Sequence, residues 1–158
     1  MNMPAYLWHP IFVHFSVGLL TAATAFYVLV RVFGKAALLR QWIIVAEWNL
    51  WVGFGFAVLT ILFGWLASIT VEHDDIAHGV LQTHMTLALM TGGGFGAMTV
   101  WSAWHRKARS YPSWAFTALM VVCFGLLLAT GLRGGELVYQ HGVAVGLEHG
   151  PEEHGHSH

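Results

Sequence analysis

Six histidines, His9, His14, His73, His78, His84 and His141, fall toward one side of a 158-residue chain dominated by apolar stretches. An imidazole is a metal or haem-iron ligand, and an ionisable ring within an apolar span is costly unless a ligand or polar partner compensates it. His14 lies about six residues into the first stretch and His84 about seven into the third, so both sit roughly 10 Å below the ends of two parallel helices. Positions four and seven residues along return to the same helix face, giving His14, Gly18 and Thr21 on one helix and His84, Ala88 and Thr91 on the other. Two imidazoles above small-residue strips predict a clamp for a planar macrocycle: haem b, with His14 and His84 axial to its iron and Gly18 and Ala88 making room for the ring.

Other ligand sets stand beside this one. His9 and His141 are candidates for a second haem, and His9, His78 or His141 for completing a bare copper or zinc site, which needs three or four donors; Met85, next to His84, suits copper(I). His9 precedes His14 by five residues and so lies roughly 140° around the helix, which separates the two unless Pro10 starts the helix irregularly. The bland alternative is that the buried histidines only hydrogen-bond carbonyls or one another. His73 reads as a solvated loop residue. His141, flanked by Tyr139 and Gly142, is expected on a segment that turns back over the bundle mouth at Gly134 and Gly135.

The elements that position these rings follow from composition. The chain is 56% hydrophobic and 9% charged, with a mean hydropathy of +0.61, too apolar for one soluble core of this length. Charge-free runs over 1–30, 48–71, 76–105 and 110–132 each exceed the roughly 20 residues a helix needs to cross a bilayer. The expectation is an all-α integral membrane protein, a four-helix up-down bundle with spans near 8–32, 42–70, 77–104 and 112–132. No Lys or Arg precedes Arg31, so a cleaved leader is not expected.

Arg31, Lys35, Arg40, Arg106, Lys107 and Arg109 fall in two loops on one side, with Arg133 alone elsewhere. The positive-inside rule makes that side cytoplasmic and both termini periplasmic, in a bacterial inner membrane. The single cysteine, Cys123, excludes an intrachain disulfide, a CxxCH haem attachment and a four-cysteine iron–sulfur cluster, and reads as a small core residue.

Trp8, Trp42, Trp48, Trp51, Trp101, Trp104, Tyr111 and Trp114 lie near span ends and read as interfacial belts. Gly92 to Gly96 is a GxxxG step suited to close helix packing. Glu47 near the cytoplasmic end is read as snorkelling, with pairing to Arg40 or proton relay to a quinone as sharper options. The bundle and an outer-face segment occupy 1–147; 148–158, with four histidines, has the composition of a disordered tail able to capture metals.

The opening LWHPIFVHFSVGLL, the LQTHMTLAL of the third stretch and the closing GLRGGELVYQHGVAVG resemble the bacterial membrane family called domain of unknown function 2231, over the chain to about Gly146. The resemblance implies four transmembrane helices and marks His9, Pro10, His14, His84, Gly134, Gly135, Tyr139, His141 and Gly142 as family-type positions. The chain departs from many relatives at Ser16, where they have Pro. Some relatives are joined to Rieske iron–sulfur domains, which implies electron transfer near the outer face.

The expected function is therefore a cytochrome b-like electron-transfer subunit, more than a stand-alone enzyme. It would relay electrons between the membrane pool or a partner oxidoreductase and a periplasmic redox protein. A quinone and a second copy of the chain are candidate partners, and nucleic acid is not. A copper- or zinc-handling protein and a non-redox scaffold are the rival classes.

Overall fold

The computed structural model describes residues 8–33, 37–70, 75–105 and 112–140. They form four α-helices: α1 (Trp8–Phe33), α2 (Ala37–Thr70), α3 (Asp75–His105) and α4 (Trp114–Tyr139). Among the described residues there is no strand, and the expected four-helix all-α bundle is observed. α1, α4 and Arg40–Thr70 of α2 are long and apolar enough to cross a membrane. α3 is as long, 31 residues, but carries Gln82, Thr83, His84 and Thr86 in its first half.

Local chemistry sets the helix ends. Pro10 sits in the first turn of α1, where its missing N–H has no helical acceptor to lose. Ser113 caps α4, its hydroxyl accepting from the Phe116 N–H at 3.1 Å. Arg31 lies in the last turn of α1, where a cation suits the helix dipole, and its guanidinium stacks 4.1 Å from the centre of the Trp114 ring.

α4 departs from expectation. The sequence predicts a fourth span over 112–132 with a turn at Gly134 and Gly135, but the helix continues to Tyr139 and closes with the Gln140 N–H on the Glu136 carbonyl. Two contacts hold that last stretch. Arg133 pairs with Glu136 at 2.6 Å, one turn apart, and Leu137 is buried. His73, His141, Gly142 and the histidine tail lie outside the described residues.

Each helix packs most extensively on its chain neighbour within a hairpin, α1 on α2 and α3 on α4. The hairpins meet along the α2–α3 and α1–α4 seams, and the diagonal backbones stay apart. The core threads all four helices through Leu20, Ala23, Leu50, Phe95, Met98, Met120 and Leu127, with Cys123 among them, as expected for a small core residue. The Gly92–Gly96 step is a packing device: a Cβ on Gly92 would fall 2.6 Å from Ile61, and one on Gly96 3.1 Å from the Phe54 ring. Trp8, Trp48, Trp104 and Trp114 are exposed, as interfacial rings should be, whereas Trp51 and Trp101 turn inward against the core.

Candidate functional site

The structure gives His9 and His84 equivalent settings in two hairpins. On α1, His9 reaches across to α2 and its Nδ1 meets the Thr60 carbonyl at 2.9 Å. On α3, His84 reaches across to α4 and its Nδ1 meets the Thr130 carbonyl at 3.0 Å. A carbonyl only accepts, so in both rings Nδ1 carries the proton and donates, leaving Nε2 of the neutral ring as a lone-pair donor to a ligand. Both rings are half-buried.

A second contact repeats beneath each ring. Ser16, seven residues after His9, hydrogen-bonds the Thr60 hydroxyl at 2.9 Å; Thr91, seven after His84, bonds the Thr130 hydroxyl at 2.9 Å. The Ser16 hydroxyl already donates to the Phe12 carbonyl, so Thr60 is the donor in the first bridge. Thr130 donates to the Leu126 carbonyl, so Thr91 is the donor in the second. Ser16 is 4% exposed and Thr91 5%, so neither bridge competes with water.

The arrangement is an internal repeat. His9 to His84 and Ser16 to Thr91 are both steps of 75 residues, and Thr60 to Thr130 and Gly64 to Gly134 are both steps of 70. Thr60 stands ten residues before the end of α2 and Thr130 nine before the end of α4, so the two tethers lie about 15 and 14 Å below those ends.

His14 stands elsewhere. It is exposed on the outside of α1, with Nδ1 donating to the Pro10 carbonyl of its own helix at 2.6 Å. Gly18, one turn on, is exposed with open space where a Cβ would project. The structure therefore does not bring His14 and Gly18 together with His84 and Ala88, although Ala88 is half-buried and Thr91 joins the bridge to Thr130. The 140° that separates His9 from His14 turns the former inward and the latter outward. His78 is exposed and contacts Gln82 on its own helix. Thr60, Thr130 and Gly64 carry no expectation for this site in the sequence, where Gly134 is a turn and family-type position and Ser16 a departure from relatives. The visible signal was His-x6-Ser/Thr followed by Thr-x3-Gly, twice.

At the other end of the bundle a cavity of about 170 Å³ is bordered by Tyr27, Glu47, Trp101, Ser102, His105 and Phe116. Tyr27 and Ser102 are hydrogen-bonded across it at 3.1 Å, and Tyr27 and Trp101 both pack edge-on against Phe116. Glu47 is half-buried on its rim. Eighteen residues of α1 separate His9 from Tyr27, roughly 27 Å of helix, so the cavity and the histidine pair are distinct places.

The fold and these paired side chains define a helical membrane bundle with a duplicated histidine tether. The chain belongs to the family described as predicted membrane protein (DUF2231), whose family model matches residues 7–146. No curated protein and no solved structure matches it.

Proposed function

We propose that this membrane protein is a cytochrome b-like electron-transfer subunit in which His9 and His84 supply the two axial nitrogens for one haem b. The observation that carries the reading is the pair of Nδ1-to-carbonyl tethers from equivalent positions of two hairpins. A ligating histidine characteristically donates its other ring N–H to a carbonyl, which fixes ring orientation and raises the basicity of the remaining nitrogen. Iron in a porphyrin takes two axial ligands, and two equivalent donors match that number. Zinc would take more, and among the described residues no group of three or more His, Cys, Asp or Glu is arranged to hold an ion.

When bound, haem would supply one-electron transfer at an iron with no vacant coordination position. The protein's own part is to hold the two rings, exclude water through the buried hydroxyl bridges, and admit a flat group along the seam between hairpins, which is packed less extensively than the hairpins themselves. Arg31 and Arg40 stand at the end of the bundle opposite the histidine pair. The positive-inside rule then puts the pair in the outer half of a bacterial inner membrane, with both termini periplasmic and a periplasmic redox protein within reach. A quinone headgroup from the membrane pool is a candidate for the inner cavity, where Glu47 and His105 would exchange protons with it.

The test is the purified protein's absorption before and after dithionite, with metal analysis on the same sample. A Soret band with stoichiometric iron supports the reading. A colourless sample with stoichiometric copper or zinc makes the chain a metal-handling protein, and a sample with neither makes it a scaffold.

A further inference from the structure

A side chain rarely reaches a main-chain carbonyl inside another helix, because the residue four positions on guards it. The carbonyl of residue i points toward residue i+4, whose N–H it accepts, and helical side chains lean back over the preceding turn. In α2 the residue four after Thr60 is Gly64, and in α4 the residue four after Thr130 is Gly134. A Cβ on Gly64 would fall 2.8 Å from Cε1 and 2.9 Å from Nδ1 of His9; one on Gly134 would fall 3.1 Å from Cε1 of His84. Each imidazole lies in the space that its glycine leaves open.

We propose that Gly64 and Gly134 are positioning residues: by leaving the Thr60 and Thr130 carbonyls open they hold His9 and His84 as Nδ1–H tautomers and present two equivalent Nε2 lone pairs. The use of those lone pairs rests on the functional reading above, while the tautomers do not. Glycine is among the least favoured residues inside a helix, yet two stand at corresponding places of two hairpins, each against a histidine ring. The bridges from Ser16 and Thr91 hold the same two threonines by their hydroxyls.

The test reads ring protonation directly. Nitrogen NMR of the full chain labelled with [15N]histidine, in detergent at about pH 8.5 where free imidazoles are neutral, distinguishes protonated from bare ring nitrogens. His9→Gln and His84→Gln assign the two signals. The expected wild-type result, read on the haem-free protein because iron would take the same lone pairs, is bare Nε2 at both positions. Gly64→Ala should abolish the bare Nε2 signal of His9 and leave that of His84, and Gly134→Ala should do the converse. Gly55→Ala, with open space around the new Cβ, and Gly135→Ala, whose Cβ would meet only Tyr139 at 4.0 Å, should change neither.

A wild-type spectrum with Nε2 protonated at either ring overturns the proposal, and decides the matter even where an alanine variant does not fold. Retention of the His9 signal in folded Gly64→Ala overturns it equally. A chain with the expected tautomers and glycine dependence that takes up no haem leaves the positioning role standing and refutes the haem reading alone.

Discussion

His9 and His84 occupy the same place in two successive helical hairpins: each crosses from an odd-numbered helix to donate Nδ1–H to a threonine carbonyl, at 2.9 and 3.0 Å. The hydroxyl of that threonine bonds a serine or threonine one heptad after the histidine. The bundle is thus two copies of one device, each held inside its own hairpin. That arrangement predicts that damage to one tether leaves the other intact.

The hydroxyl bridges give the first prediction. Hydrogen bonds between membrane helices are worth about 0.6 kcal/mol on average in double-mutant cycles. A Thr91→Ala, Thr130→Val cycle should give coupling of about that size by reversible unfolding in mixed micelles. A parallel cycle on Ser16 and Thr60 should give the same, and a Ser16, Thr130 cycle should give none. Coupling across hairpins as large as within them would contradict a duplicated design.

Much of the fold was legible because charge is so sparse. Charge-free runs placed the first three spans within a few residues of α1, α2 and α3. α4 ran past its expected end because Arg133 and the Gly134–Gly135 pair look like a boundary on a one-dimensional reading. The three-dimensional facts reverse that: Arg133 pairs within the helix to Glu136, and Gly134 is small because a ring from α3 lies on it. The histidines were visible, but their pairing was not. Counting depth from span starts matched His14 to His84, whereas the partner carbonyls on α2 and α4 match His9 to His84.

The inner end yields a second prediction. Tyr27, 3% exposed, bonds Ser102 and packs edge-on against Phe116 with ring centres 4.8 Å apart. Tyr27→Phe keeps the packing and should cost about 1 kcal/mol, whereas Tyr27→Ala also opens a void and should cost about 3 to 5 kcal/mol. Unfolding midpoints in detergent separate the two. Equal losses would mean that the ring contact contributes little.

Orientation is a third. With the basic loops inside, a single cysteine introduced at Gln140 of a Cys123→Ser background should react with a membrane-impermeant maleimide added to intact spheroplasts. One introduced at Arg40 should react only after lysis. The reverse pattern would put the histidine pair in the inner half and remove a periplasmic redox partner from reach.

The central claim is that His9 and His84, and not His14, hold a haem. Reduced-minus-oxidised spectra of the wild type and of His9→Ala, His84→Ala and His14→Ala, normalised to protein, test it most directly. The account predicts a low-spin bis-histidine spectrum in the wild type and in His14→Ala, with loss of that spectrum and of bound haem in each of the other two. A wild type that lacks haem, or a His9→Ala variant that keeps the full spectrum while His14→Ala loses it, would contradict the account.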